Sequence, residues 1–417
     1  MLMIWTISLR YLMAHKRQTL VCIAGVTISV VMFLSMFAMM SGFRDKFIIE
    51  TVESSGHIVV NDEPRESNTP ILQMIYEDKN ALLSLDRVKP RDQVKKIKNA
   101  YGLIQKIRSL HGIEAVAPEV TGDVIASYGT KTHNVVILGV DPTEQLKVTT
   151  IGDNLIAGDF QRLQSTADGL VIGSGISRML GAKLGDTISL ASSTGGQTNG
   201  RIVGIFETGV TPTDYSRAYM LLNNAQTLLD KKNIINRLTI RTHDYTQAQS
   251  YAAQIEELAG YKTEAWQESN ANFLKIFAIQ DMITYIITGS LLVVAAFGVL
   301  NILIMAVLER INDIAILKSF GFSRKDITQL FLNQGLVIGL TGATLGLILG
   351  KLTIEGLRKV PVRMEGLVQA QGLLMSESTS AYVMAFFASI IVVMLASMYP
   401  ARRAAKYDPV EVIRGAH

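Results

Sequence analysis

Thr19-Leu-Val-Cys-Ile-Ala-Gly-Val-Thr-Ile-Ser-Val-Val-Met-Phe-Leu-Ser-Met-Phe-Ala-Met-Met-Ser-Gly-Phe43 carries no ionisable group but one thiol. As an α-helix its about 25 residues cross the ~30 Å hydrocarbon layer of a bilayer. Three more stretches are of similar length and character: Met282–Leu308, Leu330–Lys351 and Tyr382–Tyr399. In lipid only a helix or a closed barrel satisfies its own backbone. The expected fold is therefore a membrane protein with four transmembrane α-helices. About 230 mostly polar residues separate the first stretch from the second, enough for a large α+β domain outside the membrane.

The mean hydropathy of +0.28 suits a chain that is half membrane and half soluble. A net charge of +4 gives no case for nucleic acid as a partner. The single cysteine, Cys22, cannot form an internal disulfide and reads as a small apolar packing residue. Leu20 and Val21 before it do not fit a lipoprotein signal. The first apolar run also exceeds the 7–15 residues of a signal peptide, so it reads as a retained anchor. Arg10, Lys16 and Arg17 precede the first stretch. Arg310, Lys318, Arg324 and Lys325 follow the second, and Arg402, Arg403, Lys406 and Arg414 follow the fourth. Positive charge marks the cytoplasmic side, which puts both termini inside and the large domain outside. Lys351, Arg358, Lys359 and Arg363 run against that rule in the last outer loop.

The expected order is an amphipathic N-terminus lying on the membrane (1–17), a first span (18–43), the outer domain (44–267) and a stalk plus second span (268–308). A cytoplasmic helix (309–327), a third span (328–352), an outer loop (353–380), a fourth span (381–400) and a cytoplasmic tail (401–417) complete it. Within the outer domain, strands are expected at 57–60, 135–140, 170–173, 187–190, 201–206, 237–241 and 261–266. Gln93–Leu110 has helical spacing, with Val94, Ile97, Tyr101, Ile104 and Ile107 on one face. Asp244 can cap a second helix over 247–258. Strand–helix pieces at both ends enclose a β-rich middle, so a β-rich part is expected inside an α+β part. Residues 62–92 read as irregular. From Gln267 helical spacing continues to Arg310, long enough to leave the membrane as a stalk, unless it breaks at Asn270–Asn272. Pro400 reads as the end of the last span.

Gly335, Gly339, Gly342, Gly346 and Gly350 recur at spacings of four and three and let helices approach closely. Between the second and third spans, Ile311, Ile314, Ala315 and Lys318 form one face of a short helix that Gly321 stops. A short helix in a tight loop suits a groove on a partner. The histidines at 57, 111, 133 and 243 are scattered, so no metal site is expected, and no nucleophile–base pair stands out.

The run from Asn301 to Ile327, with its Glu309-Arg310-Ile311-Asn312-Asp313-Ile314 core, resembles the coupling region of FtsX-type ABC permeases. So does the ending Tyr399-Pro400-Ala401-Arg402-Arg403-Ala404-Ala405, with Asp408-Pro409-Val410-Glu411 after it. Gly169-Leu170-Val171-Ile172-Gly173-Ser174-Gly175-Ile176 and Val203-Gly204-Ile205-Phe206-Glu207-Thr208-Gly209 are similar to the outer domain of the lipoprotein-releasing LolC/LolE group and of MacB-type permeases. The resemblance covers the whole chain. It implies a porter-like outer domain with a β-rich insertion, and a permease in the bacterial inner membrane that pairs with a second copy or paralogue. It also implies a cytoplasmic ABC ATPase dimer docked through Glu309, Arg310, Ile311, Asp313, Ile314, Leu317, Lys318, Gly321 and Phe322. No G-x-x-x-x-G-K-[S/T] motif occurs, so ATP and magnesium would belong to that separate subunit and the chain itself needs no cofactor. The implied cargo is a lipoprotein or other amphiphile, entering between the first and second spans of paired subunits at Met36, Met40, Phe43, Ile276, Ile279 and Ile283. LolC-type subunits carry a long hairpin that grips a periplasmic chaperone, whereas this chain has only the polar turn Ala191–Gly200 at the matching place. Two other outcomes are open: a tripartite efflux or peptide exporter working with an adaptor, and an FtsX-like regulator of a cell-wall hydrolase.

Overall fold

The computed structural model describes residues 2–64, 96–361, 363, 364 and 370–408. Most of the 62–92 segment lies outside these, as do Val94 and the end of the tail. In chain order the elements are α1 (Leu2–Ala14), α2 (Lys16–Ser55), β1 (Ile58–Pro64), α3 (Ala100–Arg108), β2 (Ile113–Tyr128), β3 (Lys131–Val140) and α4 (Pro142–Val148). Then come β4 (Leu155–Gly158), α5 (Arg162–Ser165), β5 (Gly169–Gly173), α6 (Ser174–Leu180), β6 (Thr187–Ser192), β7 (Gln197–Phe206), α7 (Thr211–Ser216), β8 (Arg217–Leu221) and α8 (Leu222–Leu228). β9 (Arg237–Thr242), α9 (Ala248–Ala259), β10 (Tyr261–Ala265), α10 (Trp266–Ser269) and α11 (Ala271–Glu309) follow. α12 (Ile311–Ser319), α13 (Arg324–Arg358), β11 (Arg363–Met364), β12 (Ala370–Gln371) and α14 (Thr379–Lys406) complete the chain. Two compact units result, with the helical one built from 1–45, 275–364 and 370–417 and the other from 46–274 and 365–369.

In the second unit one sheet runs β10-β1-β9-β2-β3-β8-β5-β7-β4, with β6 bridging β2 and β7. β2 belongs to two neighbourhoods. Its first half, from Ile113 to Glu119, pairs β9, and the rest, to Tyr128, pairs β3. The first neighbourhood buries Ile104 and Ile107 of α3, Ile255 of α9 and Ile58, Val116 and Ile240 of the sheet. The second buries Ile137, Leu170, Ile172, Ile188, Leu190 and Ile202 between sheet and helices. The chain enters the first, makes the whole of the second, and returns through β9, α9 and β10, so the β-rich part is an insertion in the α+β part. β2 is the longest strand, yet Pro118 and Gly122 interrupt its pattern, and the sequence reading passed over it. α3 is shorter than expected, and Tyr101 points away from the core at 65% exposed. Ala100 and Leu103 take its place among the buried residues.

In the first unit α2, α11, α13 and α14 are each long and apolar enough to cross a membrane. Three expectations change. Helix α14 continues through Pro400 to Lys406, because a transmembrane helix tolerates one lost backbone bond where neighbours cover it. The long second-span helix starts at Ala271, after a break at Asn270, and its 39 residues still give about 58 Å. The N-terminal helix is not polar on one side. Ile4, Ser8 and Leu12 are buried, and Met3, Trp5, Leu9 and Met13 are exposed. Ser8 Oγ donates to the Leu330 carbonyl at 2.9 Å, so α1 docks on α13 rather than only lying flat.

Candidate coupling segment

Four residues, 320–323, turn α12 into α13. Helix α12 ends in a complete Schellman arrangement. Gly321 takes φ +95°, its N–H donates to the Lys318 carbonyl at 3.0 Å, and the Phe322 N–H donates to the Leu317 carbonyl at 3.2 Å. The next helix starts at once with a capping box. The Ser323 hydroxyl accepts from the Asp326 N–H at 3.3 Å, and the Asp326 carboxylate accepts from the Ser323 N–H at 2.8 Å. The Ser323 hydroxyl, and then the Ser323 N–H, donate to the Asp326 carboxylate and hold it below its ordinary range. A stop and a start so close together fix the angle of α12.

The face of α12 that the sequence reading favoured looks inward. Ile314 (1% exposed) sits in a core with Val307, Ile327, Phe331 and Ala404, and Ala315 is buried as well. Leu317 and Phe322 pack on that core, and Ile311 is half-buried. The Arg310 guanidinium lies over the Tyr11 ring, 3.9 Å from its centroid, and reaches Asp313 at 3.7 Å. Lys318 Nζ donates to the Ala405 and Tyr407 carbonyls at 2.8 and 2.6 Å, and burial holds its pKa below the ordinary lysine range. Glu309 faces His15 at 3.6 Å. The outward face shows Asn312, Asp313, Gly321 and two residues that the sequence reading left out: Ile316 (50% exposed) and Phe320 (81% exposed). An apolar pair at i and i+4, opposite the face of Ile314 and Lys318, was the signal for them.

The glycines of α13 serve two neighbours. Gly335 and Gly339 face Ser397 and Val393 of α14. Gly342, Gly346 and Gly350 face Val26, Val30 and Leu34 of α2. The Thr27 hydroxyl donates to the Gly342 carbonyl at 3.2 Å across that contact.

The six access residues do not form one cluster. Phe43 stacks edge-on against Phe277 at 6.0 Å, and Met40 meets the Gln280 amide. Arg44 and Asp281 join the same two helices at 2.7 Å. Met36 is half-buried. Ile276, Ile279 and Ile283 lie on the other face of α11, about half exposed. α2, α11 and α14 also border an apolar cavity of ≈ 160 Å³, lined by residues that include Phe33, Tyr285 and Met384 and none of the six. Among the described residues no group of His, Cys, Asp and Glu could hold a metal ion. In the second unit only the four residues Ser193–Gly196 join β6 to β7.

Residues 19–258 match the MacB-like periplasmic core domain, and residues 285–409 match the FtsX-like permease C-terminal region. The lipoprotein-releasing system transmembrane protein LolC of Neisseria meningitidis serogroup B is 26% identical over 98% of this chain and 98% of its own. The corresponding LolE of Haemophilus influenzae is 29% identical over 72% of this chain and 77% of its own. The macrolide export ATP-binding/permease protein MacB of Bdellovibrio bacteriovorus is 25% identical over 97% of this chain but 60% of its own. With four apolar helices and the large domain set between the first and the second, the chain belongs to the MacB/FtsX-like family of ABC transporter permeases.

Proposed function

We propose that this chain is a transmembrane subunit of an ABC transporter that extracts lipoproteins from the bacterial inner membrane for delivery to the outer membrane. The observation that carries the reading is likeness along the length of the chain: it and the LolC relative align over 98% of each other at 26% identity. A separate ATPase dimer would dock on α12 from the cytoplasm, with Phe320 and Ile316 as its apolar anchors. Movement would pass along the long helices α2 and α11. The complex would pair this chain with a second copy or a paralogue. The short β6–β7 turn leaves chaperone capture to the paired subunit.

A tripartite exporter is the second reading, favoured by the MacB relative matching 97% of this chain. Affinity purification from native membranes in mild detergent, with mass spectrometry of proteins and lipids, separates the two. An ATPase together with triacylated lipoproteins supports release. An ATPase with an adaptor or an outer-membrane channel replaces it with export, and an ATPase with only a wall hydrolase replaces both with regulation.

A further inference from the structure

The second unit holds a cavity of ≈ 190 Å³ between the last turns of α2, the end of α7 and strand β9. Two guanidinium groups, Arg217 and Arg237, belong to its wall, and among the described residues no aspartate or glutamate does. Arg237 has a counter-ion behind the wall, the buried Glu119, at 3.4 Å. Arg217 has no carboxylate partner among the described residues. It donates to the Ser55 hydroxyl at 2.9 Å. Two cations against one anion leave an excess positive charge in a half-enclosed space, where Coulomb interactions are far stronger than in water.

The wall also carries buried hydrogen-bonding groups. His57 and Thr51 belong to it and are 4% and 6% exposed. The Thr242 N–H donates to His57 Nδ1 at 3.1 Å, a fixed donor that keeps the neutral ring's proton on Nε2. Neither that Nε2 nor the Thr51 hydroxyl has a partner among the described residues. The remaining surface includes the rings of Phe47, Trp266 and Phe273. At ~30 Å³ per water the cavity holds about six waters, so a headgroup fits and acyl chains do not. Guanidinium forks match phosphate oxygens in pairs.

We infer that this cavity binds a phosphate group, presented either by the headgroup of an anionic lipid or by a free phosphate. The site does not depend on which cargo the transporter carries.

Trp266 stands in the wall, and the only other tryptophan of the chain is Trp5. A full-length Trp5→Phe chain in neutral detergent therefore has one fluorescent reporter at the site. The probes are inorganic phosphate, dihexanoyl phosphatidylglycerol and the neutral dihexanoylglycerol. The expected result is a saturable change in Trp266 emission with a phosphate probe. Arg217→Gln weakens it about tenfold, and Arg162→Gln, a change at an exposed arginine, leaves it alone. A Glu119→Gln, Arg237→Gln double variant, which strands neither charge of the buried pair, weakens it as well. Saturation by the lipid at about tenfold lower concentration than by inorganic phosphate assigns the site to a headgroup. Equal saturation assigns it to free phosphate. No saturable response to either, in a chain with unchanged thermal midpoint, overturns the proposal, as does an equal response to the neutral glyceride.

Discussion

Arg310 lies over the Tyr11 ring, with its guanidinium carbon 3.9 Å from the ring centroid and its side chain 17% exposed. The contact joins α1 to the residue that opens α12. Two others run beside it, from Ser8 to the Leu330 carbonyl and from His15 to Glu309. α1 is therefore part of the platform that orients α12.

A partly desolvated cation–π pair contributes about 1–2 kcal/mol. Tyr11→Phe keeps the ring and should leave the thermal midpoint of the purified chain nearly unchanged. Tyr11→Leu should lower it. Equal midpoints for the two variants would remove any role for the ring face.

Phe320 and Ile316 stand out from α12 and touch little of their own chain. Phe320→Ala with Ile316→Asp should leave insertion and thermal midpoint intact and cut recovery of the ATPase in pull-downs about tenfold or more. Ile314→Asp is the contrasting change. It places a charge at a position 1% exposed in the core and should cost several kcal/mol, lowering the amount of folded protein itself. If both variants lost the ATPase while staying equally stable, the assignment of the outward face would be wrong.

The glycine stripe supplies an internal control. A Cβ on Gly342 would meet the Val26 Cβ at 2.8 Å, and one on Gly346 would meet the Val30 Cβ at 2.6 Å. On the same helix, Gly356 has nothing within 4 Å. Gly346→Ala should destabilise by about 1–3 kcal/mol through overpacking, and Gly356→Ala should stabilise by about 0.4–1 kcal/mol. Thermal unfolding of the two variants side by side reads the difference.

His57 gives a pH dependence. Burial, then the nearby Arg241, hold its pKa below the ordinary 6.5. In the unfolded chain the ring takes a proton first, so the folded state loses stability as pH falls from about 6.5 through the depressed folded value. His57→Asn keeps an acceptor for the Thr242 N–H and removes the titration, so its stability curve should be flatter below pH 6.5. Asp214 acts in the opposite sense. Burial, ahead of the Thr208 hydrogen bonds, raises its pKa, so acidification through that value favours the folded state. Denaturant melts of the wild type and His57→Asn across mildly acidic pH test the His57 prediction, and parallel curves would refute it.

The membrane half was legible because a span announces itself by composition over about 20 residues. The glycine repeat of α13 was legible too, as close approach leaves few residue types to choose from. What escaped depended on partners far away in sequence. β2 holds Pro118 and Gly122 in a strand paired on both sides, which only tertiary pairing reveals. Tyr101 was placed inward by spacing alone, though Ala100 and Leu103 share that turn. In α12 spacing put Ile311, Ile314, Ala315 and Lys318 on one face, and the resemblance implied that Arg310 and Lys318 meet the ATPase. Both are held inward, by the Tyr11 ring and by the carbonyls of Ala405 and Tyr407.

Between Ser319 and Arg324 the chain has no slack. The N–H groups of Gly321 and Phe322 are tied back to α12, and that of Ser323 is tied forward to Asp326. A flexible connection would absorb a displacement of Phe320 within the loop. A taut one forwards it to α13, and through the glycine contacts of that helix to α2 and α14. The stiffness of four residues thus sets how much of a push at this loop reaches the rest of the bundle.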